Sequence, residues 1–181
     1  MENGIVKENG QKPLDSIQGL SKIFYESGIF EDVKSEAQAI VKIYAGKEIG
    51  LSPLQSMMGL YIVKGQVAAT SKVISALIKK SKDYNYLIEK LDNEECILSF
   101  TQDGEELGKS VFTIKDAAKA GIVNKDNWKN YPRNCLFARA LSNGARWYTP
   151  DVYCGYAQEE LEELVVEKIP EEVTLEEGKV T

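Results

Sequence analysis

Three segments in the first half of the chain place apolar residues at every third or fourth position, a pattern typical of amphipathic helices. They begin at capping residues, and the first two end at glycines: Asp15 or Ser16 to Gly28, Ser35 (with Gln38 as a capping box) to Gly50, and Thr70 or Ser71 onward. The pattern predicts that the second helix packs through Ala37, Ile40, Val41, Tyr44 and Ala45.

The pattern changes to that of strands in two places. Leu60–Ala68 predicts a small hairpin that turns at Lys64-Gly65. Further along the chain, runs separated by Asp-Asn and Asp-Gly turns predict an antiparallel meander of three strands: Tyr84–Leu91, Cys96–Thr101 and Ser110–Ile114. With helices before and after the meander, the expected fold is α+β: a single domain with a three-stranded antiparallel sheet and packed helices.

A short helix over Lys115–Ala120 is followed by a longer one from about Arg133 to Tyr148, with Pro132 in its first turn. At 3.6 residues per turn, one stripe of the longer helix is apolar or small: Phe137, Leu141, Gly144 and Tyr148. The opposite side is polar: Arg139, Asn143 and Arg146. The side chains of the two arginines are therefore expected to project away from the core.

The ends of the chain differ from its body. Residues 1–13 are polar and 168–181 are acidic with few apolar residues, so both are expected to be disordered, leaving 14–167 as the folded domain. The chain has a net charge of −6, whereas residues 159–181, with nine Glu and two Lys, carry −7. The body is therefore close to neutral, and its cations can cluster.

Composition argues against several functional classes. The chain has no histidine, which removes the commonest general base and metal ligand. Its three cysteines form no CxxC pair and are expected to be reduced thiols in a cytoplasm. No apolar run is long enough for a membrane span. We expect no cofactor, no metal and no membrane partner.

Two motifs suggest enzymes but have simpler explanations. Gly104–Ser110 resembles a phosphate-binding loop but is one residue short and precedes a strand, so a hairpin turn is the better interpretation. Paired acids such as Glu94-Glu95 lie in predicted turns, where solvated carboxylates are usual. A metal-dependent nuclease stays an alternative.

The stretch around the last long helix combines aromatic and cationic residues: Trp128, Lys129, Tyr131, Arg133, Arg139 and Arg146. Cations neutralise phosphates and flat rings can stack on bases, so this chemistry suits a nucleic-acid surface. A solvated charged helix face explains the cations equally well, and the two rings can instead staple the helix to the core. Lys72 and Lys79, seven residues apart, form a second cationic face.

The spacing W-x-x-Y-P-R-x-x-L-x-x-R-A, from Trp128 to Ala140, continues with Ala145-Arg146, Pro150-Asp151, Gly155-Tyr156 and Glu159-Glu160. It resembles the RecT/Red-beta family of phage single-strand annealing recombinases. A second stretch, Gly50–Gln55 followed by Gly59–Gly65, resembles a RecT-like group of phage proteins. Together the two motifs span most of the chain, which would be a short member. Cys135 stands where the family usually has methionine.

The resemblance implies that Arg133, Arg139 and Arg146 hold the DNA backbone. It also implies an ATP-independent, non-enzymatic protein that binds single-stranded DNA and anneals complementary strands into a duplex during phage homologous recombination in the bacterial cytoplasm. A homo-oligomer, as a ring or helical filament, and a phage exonuclease are the implied partners. The full expected DNA-binding set is Arg133, Arg139, Arg146, Lys129, Lys72, Lys79, Lys64, Trp128 and Tyr131. The alternative is a catalytically inert interaction or inhibitor protein on the same fold.

Overall fold

The computed structural model describes residues 16–163. The predicted disordered segments, 1–13 and 168–181, lie outside this range. The helices are α1 Ile17–Glu26, α2 Glu36–Glu48, α3 Pro53–Gly59, α4 Ser71–Lys80, α5 Ile114–Lys119, α6 Asp126–Asn130, α7 Pro132–Tyr148 and α8 Gln158–Glu163. The strands are β1 Leu60–Val63, β2 Gln66–Ala69, β3 Tyr84–Leu91, β4 Glu95–Gln102, β5 Glu105–Thr113 and β6 Tyr156–Ala157.

The chain has an α+β fold, as predicted, with the antiparallel sheet β3-β4-β5 beneath α7. The strands alternate between core and surface, so that Cys96, Leu98 and Phe100 of β4 are fully buried. The helix comes very close to this sheet at Gly144, where an added Cβ would lie 2.1 Å from the Phe100 ring. Ser110 of β5 also donates a hydrogen bond to a carbonyl of α7 at 2.7 Å.

Helix α7 is buried on more sides than its predicted stripe. Leu141 and Gly144 of the stripe are buried, while Phe137 and Tyr148 are half-buried. Buried positions also occur elsewhere around the helix: Leu136, Ala138, Ala140, Ser142 and Ala145. The helix packs against the sheet, α4, α6 and α8, so it is a central element of the core.

A second sheet, β1-β2-β6, was only partly predicted. Its hairpin turns at Lys64 and Gly65, both with positive φ, as the sequence indicated. The two-residue strand β6 adds a parallel neighbour, with Ala157 beside Ala69. Strand β6 was missed because it is too short to show a hydrophobic period, and its pairing joins residues almost ninety positions apart.

The prediction for the packed side of α2 was wrong for three of its five residues, while Ile40 and Ala45 are half-buried. Val41 and Tyr44 are 55% and 48% exposed, and Ala37 is exposed as well. The helix buries a set that includes a lysine: Ala39, Lys42, Ile43 and Gly46. A charged residue at a core position cannot be recognised from hydrophobic periodicity.

Lys42 is buried because Asp32 neutralises it. Its Nζ lies 2.7 and 3.0 Å from the two carboxylate oxygens of Asp32, and 5.1 Å from the centre of the Tyr61 ring. The same carboxylate accepts the Ile62 backbone N–H at 2.9 Å. Burial lowers the pKa of Lys42, and the hydrogen bond and charge of Asp32 oppose that shift. Asp32 therefore ties α2 to β1.

Among residues 16–163, no helix is long and apolar enough to cross a membrane.

Replacing Asp32 with alanine should destabilise the protein strongly, because it leaves the Lys42 ammonium buried without its counterion. Removing one partner of a buried pair typically costs about 3–5 kcal/mol. The exposed Lys22–Glu26 pair is the control: Glu26→Ala should change the free energy of unfolding by less than about 1 kcal/mol. Urea unfolding of both variants measures the difference, and equal losses would contradict the structural role given to Asp32.

Candidate nucleic-acid interface

Arg139 and Arg146 lie on the same side of α7, two turns apart, but in different environments. The side chain of Arg146 is 49% exposed, whereas that of Arg139 is only 19% exposed. The Arg139 guanidinium lies over the Phe112 ring, with Cζ 5.2 Å from the ring centre. The prediction that both side chains project away from the core is therefore wrong for Arg139.

Both arginines converge on Glu160 of α8. This residue is 7% exposed, and its carboxylate forms a short salt bridge with Arg146 and lies 3.9 Å from Nη1 of Arg139. It also accepts the Ser142 hydroxyl at 3.2 Å and the Ala157 backbone N–H at 3.3 Å. The contacts surround a buried carboxylate with two guanidinium groups and two neutral donors.

A pocket of about 350 Å³ opens over this cluster. Its polar lining comes mainly from the two arginines, Glu160 and Asn143, and the Tyr156 ring forms part of its wall. Tyr156 is 48% exposed, and Cζ of Arg146 lies 5.9 Å from the centre of its ring. The pocket thus combines a net positive charge with an accessible aromatic ring.

Arg133 is exposed, but it does not join this pocket. At 3.6 residues per turn it lies about 120° around the helix from Arg139 and roughly 20 Å along the axis from Arg146. Near it, Lys129 is exposed and Tyr131 is 64% exposed. The predicted arginine set therefore divides into two groups: Arg133 at the start of α7, and Arg139 with Arg146 from its middle to its end.

Trp128 does not belong to the contact surface. It is 2% exposed, and its ring packs 6.1 Å from that of Phe112. The core role weighed for Trp128 in the sequence is thus the correct one. The other tryptophan, Trp147, is 57% exposed and follows Arg146 directly in the chain.

The lysines of the expected set are also dispersed. Lys64 is exposed at the β1–β2 turn, and Lys72 is exposed at the start of α4. Lys79 donates to the Asn85 side chain at 2.6 Å and to the Tyr86 carbonyl at 2.5 Å, and its ammonium lies 4.3 Å from the Tyr86 ring centre. These bonds connect α4 to β3, so Lys79 has a structural role.

Sequence reasoning gave no role to Glu160, Asn143, Tyr156 or Trp147. Helical spacing placed Asn143 beside the arginines, and the motif contained Tyr156 and Glu160. Their convergence depends on β6 and α8, whose packing has no local sequence signal. Trp147 is identified only by its exposure in the structure, because an aromatic residue in a helix of the core is expected to be buried.

The features that suggested enzymes have structural explanations. Gly104 has a φ of +87° in the turn between β4 and β5, so the segment resembling a phosphate-binding loop is a hairpin. Within residues 16–163, no three His, Cys, Asp or Glu side chains are grouped so that they could hold a metal ion. Burial raises the pKa of the Cys96 thiol to about 11, which leaves it protonated near neutral pH.

No protein-family model matches the sequence, and a search of curated proteins found no significant match. The resemblance to the RecT/Red-beta family rests on the two motifs themselves.

The two arginines at the pocket should differ in their effect on stability. Arg139→Ala should lower the free energy of unfolding by about 1–3 kcal/mol, since it removes packing on Phe112 and a partly buried charge next to Glu160. Arg146→Ala removes a half-exposed partner of Glu160 while Arg139 still lies 3.9 Å from that carboxylate, so it should cost less, about 1 kcal/mol. Thermal or urea unfolding tests this order, and a larger loss for Arg146→Ala would contradict it.

Proposed function

We propose that the chain binds single-stranded DNA and anneals complementary strands without ATP, as a short protein of the RecT/Red-beta type in phage homologous recombination. The observation that supports this best is the cluster formed by Arg139, Arg146 and Glu160. There, α7 presents two guanidinium groups to an anion, and the anion in the structure is the carboxylate of Glu160.

A DNA phosphate fits the chemistry of this site. A carboxylate and a phosphate both present charged oxygens that accept bonds from arginine N–H and serine O–H groups. The donors that hold Glu160 are Arg146, Ser142 and the Ala157 amide. If Glu160 moves aside, these donors and Arg139 are oriented towards a strand lying in the pocket.

A second group of cations lies elsewhere on the surface. Arg133 lies roughly 20 Å from Arg146 along the axis of α7, a distance of about six phosphates at the B-form spacing of one strand, and about 140° around the helix, so a strand that contacts both has to turn across α7. Lys129, on α6, is close to Arg133 in the chain. Exposed rings accompany both groups, Tyr131 at one end and Tyr156 with Trp147 at the other. Aromatic rings stack on any base, so they add affinity without sequence preference.

Annealing follows from holding the backbone. Phosphate contacts carry no base information, so one strand can be held with its base edges free for a complementary strand. Base pairing then supplies the driving force, and no catalytic residue or nucleotide is required. Copies side by side, in a ring or filament, would hold a strand longer than one chain can cover, and a phage exonuclease in the bacterial cytoplasm would supply the single strand.

A second candidate is a catalytically inert interaction or inhibitor protein on the same fold. One observation favours it: Glu160 already pairs with both arginines, as expected if they only fasten α8 to α7. Absence of single-stranded DNA binding at low salt would select this candidate.

The proposal is tested with two complementary oligonucleotides in a fluorescence annealing assay without ATP. Arg133→Ala/Arg146→Ala is the informative variant because both side chains are exposed and the protein should stay folded. If the protein neutralises four phosphates, log K should fall against log[salt] with a slope of roughly −3, and each lost contact should reduce it by about 0.7. The double variant should lose annealing.

Lys34→Ala/Lys47→Ala removes two exposed cations near or on α2 and serves as the control, which should anneal like the wild type. Wild-type annealing by Arg133→Ala/Arg146→Ala, or a wild-type slope near zero, would refute the assignment of these arginines to phosphate.

Glu160→Gln should tighten single-stranded DNA binding. The amide keeps the size and much of the hydrogen bonding of the side chain but removes the charge that competes with phosphate. Since an additional arginine contact becomes available, the salt slope should steepen by about 0.7. Glu106→Gln, at an exposed position of β5, makes the same change in net charge and should have little effect. Equal affinities of the two variants would show that Glu160 does not compete with phosphate.

A further inference from the structure

A larger pocket, of about 520 Å³, lies between α3 and α4, away from the arginine cluster. Its walls are mostly apolar and include Leu51, Met58, Val73 and Leu77. Lys72 and Lys80 also line it and contribute two ammonium groups. Among the described residues that line it there is no carboxylate. The volume and the mostly apolar lining of this pocket are typical of ligand-binding sites, and the two lysines would favour an apolar group that carries negative charge.

Part of the pocket is formed by the second motif of the sequence, Gly50–Gln55 followed by Gly59–Gly65, which does not contribute to the arginine site. At Gly59, an added Cβ would lie 2.5 Å from Cγ2 of Val73, so only glycine lets α3 pack this closely on α4. Gly50 has a φ of +75°, which ends α2 and turns the chain into the pocket wall at Leu51. The backbone bond from Thr70 N–H to Gly59 C=O, 3.0 Å long, closes its base.

Part of the pocket wall is apolar surface open to solvent. Met58 is 64% exposed, and neighbouring Leu54 on α3 is 53% exposed. Lys72 and Lys80 are both exposed beside this surface. An occupant with apolar side chains flanked by carboxylates would cover the apolar wall and pair with both lysines.

The chain itself contains such a segment. Residues 169–177 read Ile-Pro-Glu-Glu-Val-Thr-Leu-Glu-Glu, with four glutamates around Val173 and Leu175. Side chains two positions apart point to the same side of an extended segment, so both can enter one pocket. We propose that this acidic segment docks into the pocket between α3 and α4 of its own molecule, with Val173 and Leu175 on the apolar wall and glutamates on Lys72 and Lys80.

The connection is long enough for this. Ala157 of β6 pairs with Ala69, which directly precedes Thr70 in the pocket lining. Helix α8 then advances about 9 Å over its six residues. The ten residues from 164 to 173 can span about 33 Å, which is enough to return over the length of α8 and reach the pocket.

A segment tethered this closely has a high effective concentration, in the millimolar range for short flexible connections. Modest contacts therefore suffice to keep it bound in its own molecule. The docking does not depend on the proposed DNA-binding activity, although Lys72 also belongs to the DNA-binding set expected from the sequence.

The test uses a fluorescein-labelled peptide of residues 166–181 and full-length proteins. In wild-type protein the attached segment should occupy the pocket and exclude the peptide. Val173→Asp/Leu175→Asp puts charges on the two apolar positions and should vacate the pocket, so that the peptide binds at least roughly tenfold more tightly than to wild type. Anisotropy titration measures both affinities.

Three further changes, each made in the Val173→Asp/Leu175→Asp protein, locate the binding. Lys72→Glu/Lys80→Glu should abolish peptide binding, while Lys115→Glu/Lys119→Glu, the same charge change on α5, should not. Met58→Glu, at an exposed position of the wall, should also abolish binding and does not depend on the lysines. Circular dichroism confirms that each variant is folded.

The proposal is overturned if Val173→Asp/Leu175→Asp binds the peptide no better than wild type, or if the α4 and α5 charge reversals act alike. Sedimentation velocity distinguishes docking of the segment within one molecule from docking on a second copy. Equal sedimentation coefficients for wild type and Val173→Asp/Leu175→Asp support docking within one molecule. A smaller species in the variant would show instead that the segment docks on a second copy, which would overturn the intramolecular assignment.

Discussion

The close approach of α7 to the β3-β4-β5 sheet is the constraint on which the rest of the structure depends. Gly144 lets the helix backbone reach the ring of Phe100, and no larger residue fits there without moving the sheet or the helix. Because the sheet, α4, α6 and α8 all pack on α7, few of its seventeen residues remain accessible. Arg133, Arg146 and Trp147 are among those, and they point to different sides. The helix that holds the core together is thus also the one that presents the candidate contacts.

Whether a feature depends on local or on long-range contacts decides whether it could be predicted from the sequence. Helices with strong caps and strands with clear turns were found because their signals are local: Ser16 caps α1, and Lys64-Gly65 makes the β1–β2 turn. Arg139 had the spacing of a surface residue, yet Phe112 lies against its guanidinium. No local pattern contains that contact, because it joins β5 to α7.

The error at α2 and the missed role of Glu160 have a common physical cause, which is compensation of charge inside the fold. Lys42 occupies a core position of α2 because Asp32 pairs with it, so the apolar period of that helix indicated the wrong side. Glu160 is buried against α7 because two arginines surround it. Hydrophobicity assigns such residues to the surface, and only the tertiary arrangement shows that their charges are paired.

Charge pairing also sets how the two surfaces can influence each other. Helix α4 buries Ile74 and Ile78 in the same core as Leu141 of α7, and it carries Lys72 on its exposed side. That core is closely packed, so coupling of the α3–α4 pocket to the arginines through a change of conformation would need an element with two arrangements. Competition for a shared cation requires no such element. An acidic segment paired with Lys72 would make one positive charge of the protein unavailable to any DNA strand that passes over α4. This competition would weaken as salt screens the exposed ion pair.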